Sequence, residues 1–153
     1  MRNICQAIKD IADGHDDLQI VLPVHPNPAV KDVVESVLKN VDRVHLVNPL
    51  SYEALIALER DSDLILTDSG GIQEEAPEFG TPLLILRKTT ERPEAITSGL
   101  AKLVGTCEQT ITEEANRILR SKSAKLNYEN PFGDGLAAQR IADAVESHIN
   151  SCD

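Results

Sequence analysis

Residues 66–82 read LTDSGGIQEEAPEFGTP. A serine, two glycines and then Ile-Gln-Glu-Glu fit the end of a strand, a tight turn and the first turn of a helix. With Ser69 as N-cap, Gly70 and Gly71 open that helix. The opening N–H groups of a helix have no partner inside it, and the macrodipole adds roughly half a positive charge there. Glycine carries no Cβ, so a ligand can come close to the backbone. The capping-box position three residues on is Ile72, which cannot bond back to the cap. Such a helix start is a seat for a phosphate or diphosphate. Glu75 lies four residues after Gly71, on the same face and one turn down. There it can accept two hydroxyl hydrogen bonds from a ribose, as acids do in dinucleotide folds. Glu74 is expected to face solvent. The same residues also fit a plain strand–turn–helix with a capping serine and two exposed glutamates. No complete G-x-G-x-x-G and no Walker pattern is present, which weakens a generic dinucleotide or ATP-hydrolysing site.

A phosphate seat in an acidic chain needs a local cation. RKTTERPE, residues 87–94, supplies one in Arg92. Pro93 pushes the residue before it toward an extended backbone, and the planar guanidinium suits diphosphate oxygens. Thr89 and Thr90 offer hydroxyl donors, while Arg87 and Lys88 are expected to be ordinary surface charge. A solvated arginine is the alternative for Arg92. PVHPNP, residues 23–28, puts His25 at the end of another strand, where it can donate to a phosphate or carry a proton near neutral pH. A histidine bonded within its own loop is the alternative there. His45 and His148 read as structural.

These segments need a scaffold that brings them to one edge. Apolar spacing predicts helices over 3–12, 29–40, 51–62, 70–79, 109–121 and 136–149, with Pro77 bending or ending the fourth and Pro93 opening a further short one. Short apolar runs at 19–26, 42–49, 63–68, 82–86 and 102–106 predict strands. Strands alternating with helices, and apolar runs rather than strict alternation, predict an α/β fold: a doubly wound, Rossmann-like parallel sheet. Ligands of such folds bind beyond the C-terminal strand ends, where all the segments above lie. The polar stretch 122–135 reads as a surface loop.

The chain has 153 residues, with 41% hydrophobic and 26% charged, which fits one domain over 1–153. Aromatics are 3%, so the core is aliphatic. The net charge of −10 argues against a nucleic-acid surface and an anionic membrane. Cys5, Cys107 and Cys152 form neither a disulfide framework nor a metal pattern. No signal sequence and no run of 18 apolar residues is found, so a cytoplasmic location is expected.

Taken together, PVHPNP, TDSGGIQEEAPEFGTPLLILR, TTERPEA, LVGT and NPFGDG resemble the C-terminal domain of the non-hydrolysing UDP-N-acetylglucosamine 2-epimerases. The resemblance implies one half of a glycosyltransferase-B type architecture, with substrate in the cleft between two domains. It implies that Ser69, Gly70 and Gly71 bind the diphosphate, Glu75 the ribose and Arg92 the phosphates, with His25, the candidate catalytic residue, beside the diphosphate. The implied reaction interconverts UDP-N-acetylglucosamine and UDP-N-acetylmannosamine by UDP elimination and re-addition, with no metal or redox cofactor. The first domain, which carries the proton-shuttling carboxylates in that family, has no counterpart here. The chain is therefore expected to be inactive alone and to need a separate first domain or a homo-oligomer. A non-catalytic UDP or UDP-sugar binding module and a glycosyltransferase donor domain are the alternatives.

Overall fold

The computed structural model describes residues 1–121 and 130–151. The elements run α1 (Arg2–Asp13), β1 (Ile20–Pro23), α2 (Pro28–Leu38), β2 (Val44–Val47), α3 (Tyr52–Asp61), β3 (Ile65–Thr67), α4 (Gly70–Glu75) and a 3-10 turn (Ala76–Phe79). They continue with β4 (Leu83–Ile85), α5 (Pro93–Thr97), β5 (Ala101–Leu103), α6 (Glu108–Arg120) and α7 (Ala137–Asn150). Every expected element is present, and the strands are shorter than their apolar runs. Residues 122–129 of the expected loop, and Cys152, lie outside the described residues.

All strand pairs are parallel, in two hydrogen-bonded sections: β1 with β2, and β3–β4–β5. β4 is the central strand of the larger section, and Leu83, Leu84 and Ile85 are all buried. Their alternation divides the core. Leu84 faces Ala7 and Ile11 of α1 and Ile111 and Ala115 of α6. Leu83 and Ile85 face Ala76, Ala95 and Ala101, with Ile65 and Ile72 packed alongside. A strand covered by helices on both faces needs apolar residues at every position, which is why the sequence shows a run there and no alternation. The smaller section leans on the other side of α1: Cys5, Ile8 and Ala12 pack with Val34, Leu38 and Val44. Ile20 of β1 touches both clusters, so α1 ties the two sections together.

Two prolines act as expected. Pro77 lacks the N–H to continue α4, and the helix tightens into the 3-10 turn that Gly80 ends at φ 63°. Pro93 occupies the first turn of α5. Parallel register aligns the strand ends: Thr67 pairs with Ile85, and Ile85 with Leu103. The segments after β3, β4 and β5 therefore leave the sheet at one edge. Among the described residues, no helix is long and apolar enough to cross a membrane. One helix stands apart from the core: α7 has no buried residue, and Ile141, Val145 and Ile149 form an exposed stripe along it.

Candidate functional site at the start of α4

Ser69 is the N-cap of α4, with extended backbone, and Gly70 and Gly71 are the first helical residues. The Ser69 hydroxyl makes no cap bond. The seat is therefore more open than a capped helix would leave it. The Ser69 N–H itself is taken by Thr67 Oγ1 at 3.0 Å, which fixes the turn out of β3.

Arg92 reaches this turn from the loop after β4. A Cβ placed on Gly70 would lie 3.0 Å from Arg92 Cζ and 3.1–3.2 Å from its terminal nitrogens. The glycine thus leaves the space that the guanidinium fills. Arg92 has φ −121° and ψ 65°, short of the extended backbone expected before proline. The reason is local: its N–H is drawn back to Thr90 Oγ1 at 3.1 Å. Its side chain donates from Nε to Glu74 Oε1 at 2.7 Å. Glu74 is half-exposed, as expected, but it is the partner of the arginine and not a free surface acid.

Gln73 was not among the sequence candidates, and it holds the two halves of the seat together. It is fully buried. Its Nε2 donates to the Ser69 carbonyl at 3.0 Å, and its Oε1 accepts from Thr90 Oγ1. Ser69, Gln73, Thr90 and Arg92 form one continuous chain of hydrogen bonds from the helix start to the cation. The Thr90 hydroxyl is therefore engaged within the protein and is not the ligand donor expected of it. A polar residue in an otherwise apolar helix face, between Ile72 and Ala76, was the sequence signal for Gln73.

Glu75 lies one turn below the seat, as expected. Its Oε1 is 3.9 Å from the position a Cβ on Gly71 would take. The Glu75 charge holds the Tyr52 phenol above its usual pKa, with burial and hydrogen bonding to the same carboxylate as lesser causes. Glu59, on α3, is a second missed residue: it is 3% exposed, and neither carboxylate oxygen has a partner. Burial first, and the charge of Glu75 second, push its pKa up to about 7. Tyr52, Leu55, Ile56 and Glu59 follow the i, i+3, i+4, i+7 spacing of one helix face. An acid at a stripe position was the signal for it.

His25 is bonded within its own loop. Its Nδ1 accepts from the Asn27 N–H at 3.1 Å, and Asn27 Oδ1 accepts from Ala29 N–H to cap α2. An accepting Nδ1 places the proton of the neutral ring on Nε2, the nitrogen left for a ligand. The bonds of His25 join it to the start of α2 and not to the Ser69–Arg92 chain. His45 is exposed and its Nε2 pairs with Gln19 Oε1 at 2.7 Å, while Arg87 forms a two-point pair with Glu91.

The model of the family described as UDP-N-acetylglucosamine 2-epimerase matches residues 1–146. This chain belongs to that family. It is 49% identical over 148 residues to the UDP-N-acetylglucosamine 2-epimerase of Escherichia coli K12, covering 95% of this chain and 39% of the relative. A Campylobacter jejuni protein of the same name is 47% identical, with 93% and 38% covered. Among solved structures, the S. aureus MnaA–UDP complex superposes with a TM-score of 0.91 at 38% identity, over 97% of this chain and 42% of that one. The Neisseria meningitidis UDP-GlcNAc 2-epimerase bound to UDP-GlcNAc gives 0.89 at 40% identity, over 95% and 40%. The chain therefore spans about two-fifths of the epimerases it matches. The family is that of the epimerases rather than of glycosyltransferase donor domains.

Proposed function

We propose that residues 1–153 form a single UDP-binding domain, the Rossmann-like nucleotide-holding half of a glycosyltransferase-B type 2-epimerase. The observation that carries this is the Arg92 guanidinium lying against Gly70, across a helix start whose serine leaves its amides uncapped. A diphosphate between them would take up the opening N–H groups of α4 and draw Arg92 from the half-exposed Glu74. Glu75, one turn on, is placed for the ribose hydroxyls. His25, through Nε2, would reach the diphosphate from the end of β1.

The reaction is interconversion of UDP-N-acetylglucosamine and UDP-N-acetylmannosamine. Loss of the C2 proton and breakage of the bond from C1 to the UDP oxygen give a glucal and UDP. UDP then adds back at C1, with a proton delivered to the opposite face of C2. Departing UDP gains negative charge, and preorganised amides with Arg92 stabilise it where water would have to reorganise. The proton-shuttling carboxylates belong to a first domain, supplied by a separate chain or a longer form of this one. The exposed stripe of α7 supports a role beside a partner surface. The groups gathered at the start of α4 are binding groups, which also supports a second reading, a UDP-binding module without turnover.

Calorimetry with UDP, and incubation with UDP-N-acetylglucosamine alone and with a first-domain complement, separate these. We expect UDP binding by the chain alone and 2-epimer formation only with the complement. Binding without turnover in either case would leave the module reading. Absence of UDP binding would overturn both.

A further inference from the structure

Glu59 is buried on α3, feels the charge of Glu75 and plays no part in the reading above. Its backbone is pinned: the Glu59 carbonyl accepts from Thr81 Oγ1 at 3.0 Å, and Thr81 is itself buried. α3 packs on the 3-10 turn that continues α4. The charged and titratable groups on those segments are accounted for: the Tyr52 phenol bonds Glu75 and also feels the charge of Glu59. Glu74 is held by Arg92, and Glu78 accepts from Asn130 Nδ2 at 2.9 Å. On α3 itself, Arg60 and Asp61 bond each other, and Glu53 is drawn to the exposed helix start near Ser51. That leaves Glu75 as the charge that acts on Glu59. No cation among the described residues pairs with the buried acid. An unpaired carboxyl in such a place keeps its proton.

We propose that Glu59, buried and without a partner, is a positioning residue for the nucleotide: it sets the charge beside Glu75, the acceptor for both hydroxyls of a cis-diol such as ribose. This rests on Glu75 being the sugar acceptor. When Glu59 loses its proton, a second negative charge adds to that of Glu75, on which the proposed ribose contact depends. The anionic ligand and the ionised Glu59 oppose each other, so binding UDP takes up a proton near neutral pH. The pKa of about 7 puts that change between pH 6 and 8.5.

The test is calorimetric titration of UDP at pH 6 and pH 8.5, in the wild-type chain and in Glu59→Gln, with unliganded urea unfolding at the same two pH values. UDP's own phosphate titration is common to both proteins and cancels in the comparison. We expect the wild-type affinity to fall about three- to tenfold more between the two pH values than that of the variant, the scale of one added charge at moderate distance. We also expect the variant to gain more resistance to urea at pH 8.5 than at pH 6. The same pH ratio in both proteins overturns the inference and leaves the phosphate seat standing. Loss of UDP binding in both proteins at both pH values overturns the seat, and the inference with it. Equal urea midpoint shifts at both pH values overturn the buried proton. Glu59→Met, close in shape and without charge, is measured alongside and replaces the glutamine if that variant does not fold.

Discussion

The two adjacent acids that close α4 meet opposite surroundings. Glu74 pairs with Arg92 in a half-exposed site, at 2.7 Å. Glu75 acts by its charge on the buried and unpartnered Glu59. The first arrangement is adaptable: an exposed ion pair contributes about 0–1 kcal/mol, so a ligand can displace Glu74 at small cost. The second is held against its preference by packing, and it stores free energy that folding must overcome. On the proposed reading, the exposed pair is where a ligand enters, and the buried acid is a cost the fold tolerates beside it.

Removing the buried acid should give the largest effect. The unfolded chain loses the Glu59 proton near the ordinary value of 4.5, whereas the folded chain keeps it to about 7. Stability from this group is thus unaffected below about pH 4, declines as pH rises toward 7 and stays low above it. Glu59→Met should raise stability at pH 8 by up to about 3 kcal/mol relative to pH 4. Urea unfolding across that range checks it, and a pH-independent difference would show that Glu59 is not the titrating group.

Among the ligand-facing residues, Arg92→Ala should weaken UDP binding by about 1–3 kcal/mol, the scale of a charged hydrogen bond, and so should Glu75→Ala. Stability should hardly move for Arg92→Ala, since its ion pair is half-exposed. Wild-type affinity by calorimetry would remove either residue from the site. Gly70→Ala tests the close approach alone. The new methyl would push the flexible guanidinium aside, leaving the fold intact and weakening UDP by about 1 kcal/mol. The smallest effect is expected from Glu74→Ala: less than about 1 kcal/mol in stability, with UDP bound a few-fold more tightly because Arg92 has lost its competitor. Weaker binding in that variant would mean that Glu74 orients the arginine.

The outline of the proposed seat was legible because it rests on local signals. Ser69 before two glycines after an apolar run marks a turn into a helix start open to close approach, and Pro77 and Pro93 restrict the backbone locally; the structure follows them. What the sequence did not reveal depends on packing between distant segments. Gln73 and Thr90 are 17 residues apart, and nothing local says that they meet. Glu59 sits at a stripe position of α3, but nothing local says that this face is laid on the turn after α4. His25 shows the converse: its flanking prolines and Asn27 made a strand-end loop evident, while its ring bonds to that loop.

The most direct measurement is the amide spectrum of 15N-labelled chain titrated with UDP. If the start of α4 and Arg92 hold the diphosphate, the Gly70 and Gly71 backbone amides and the Arg92 Nε–H should shift together, and Arg92→Ala should suppress the glycine shifts. UDP that moves other amides while leaving Gly70 and Gly71 in place would contradict the assignment of the seat.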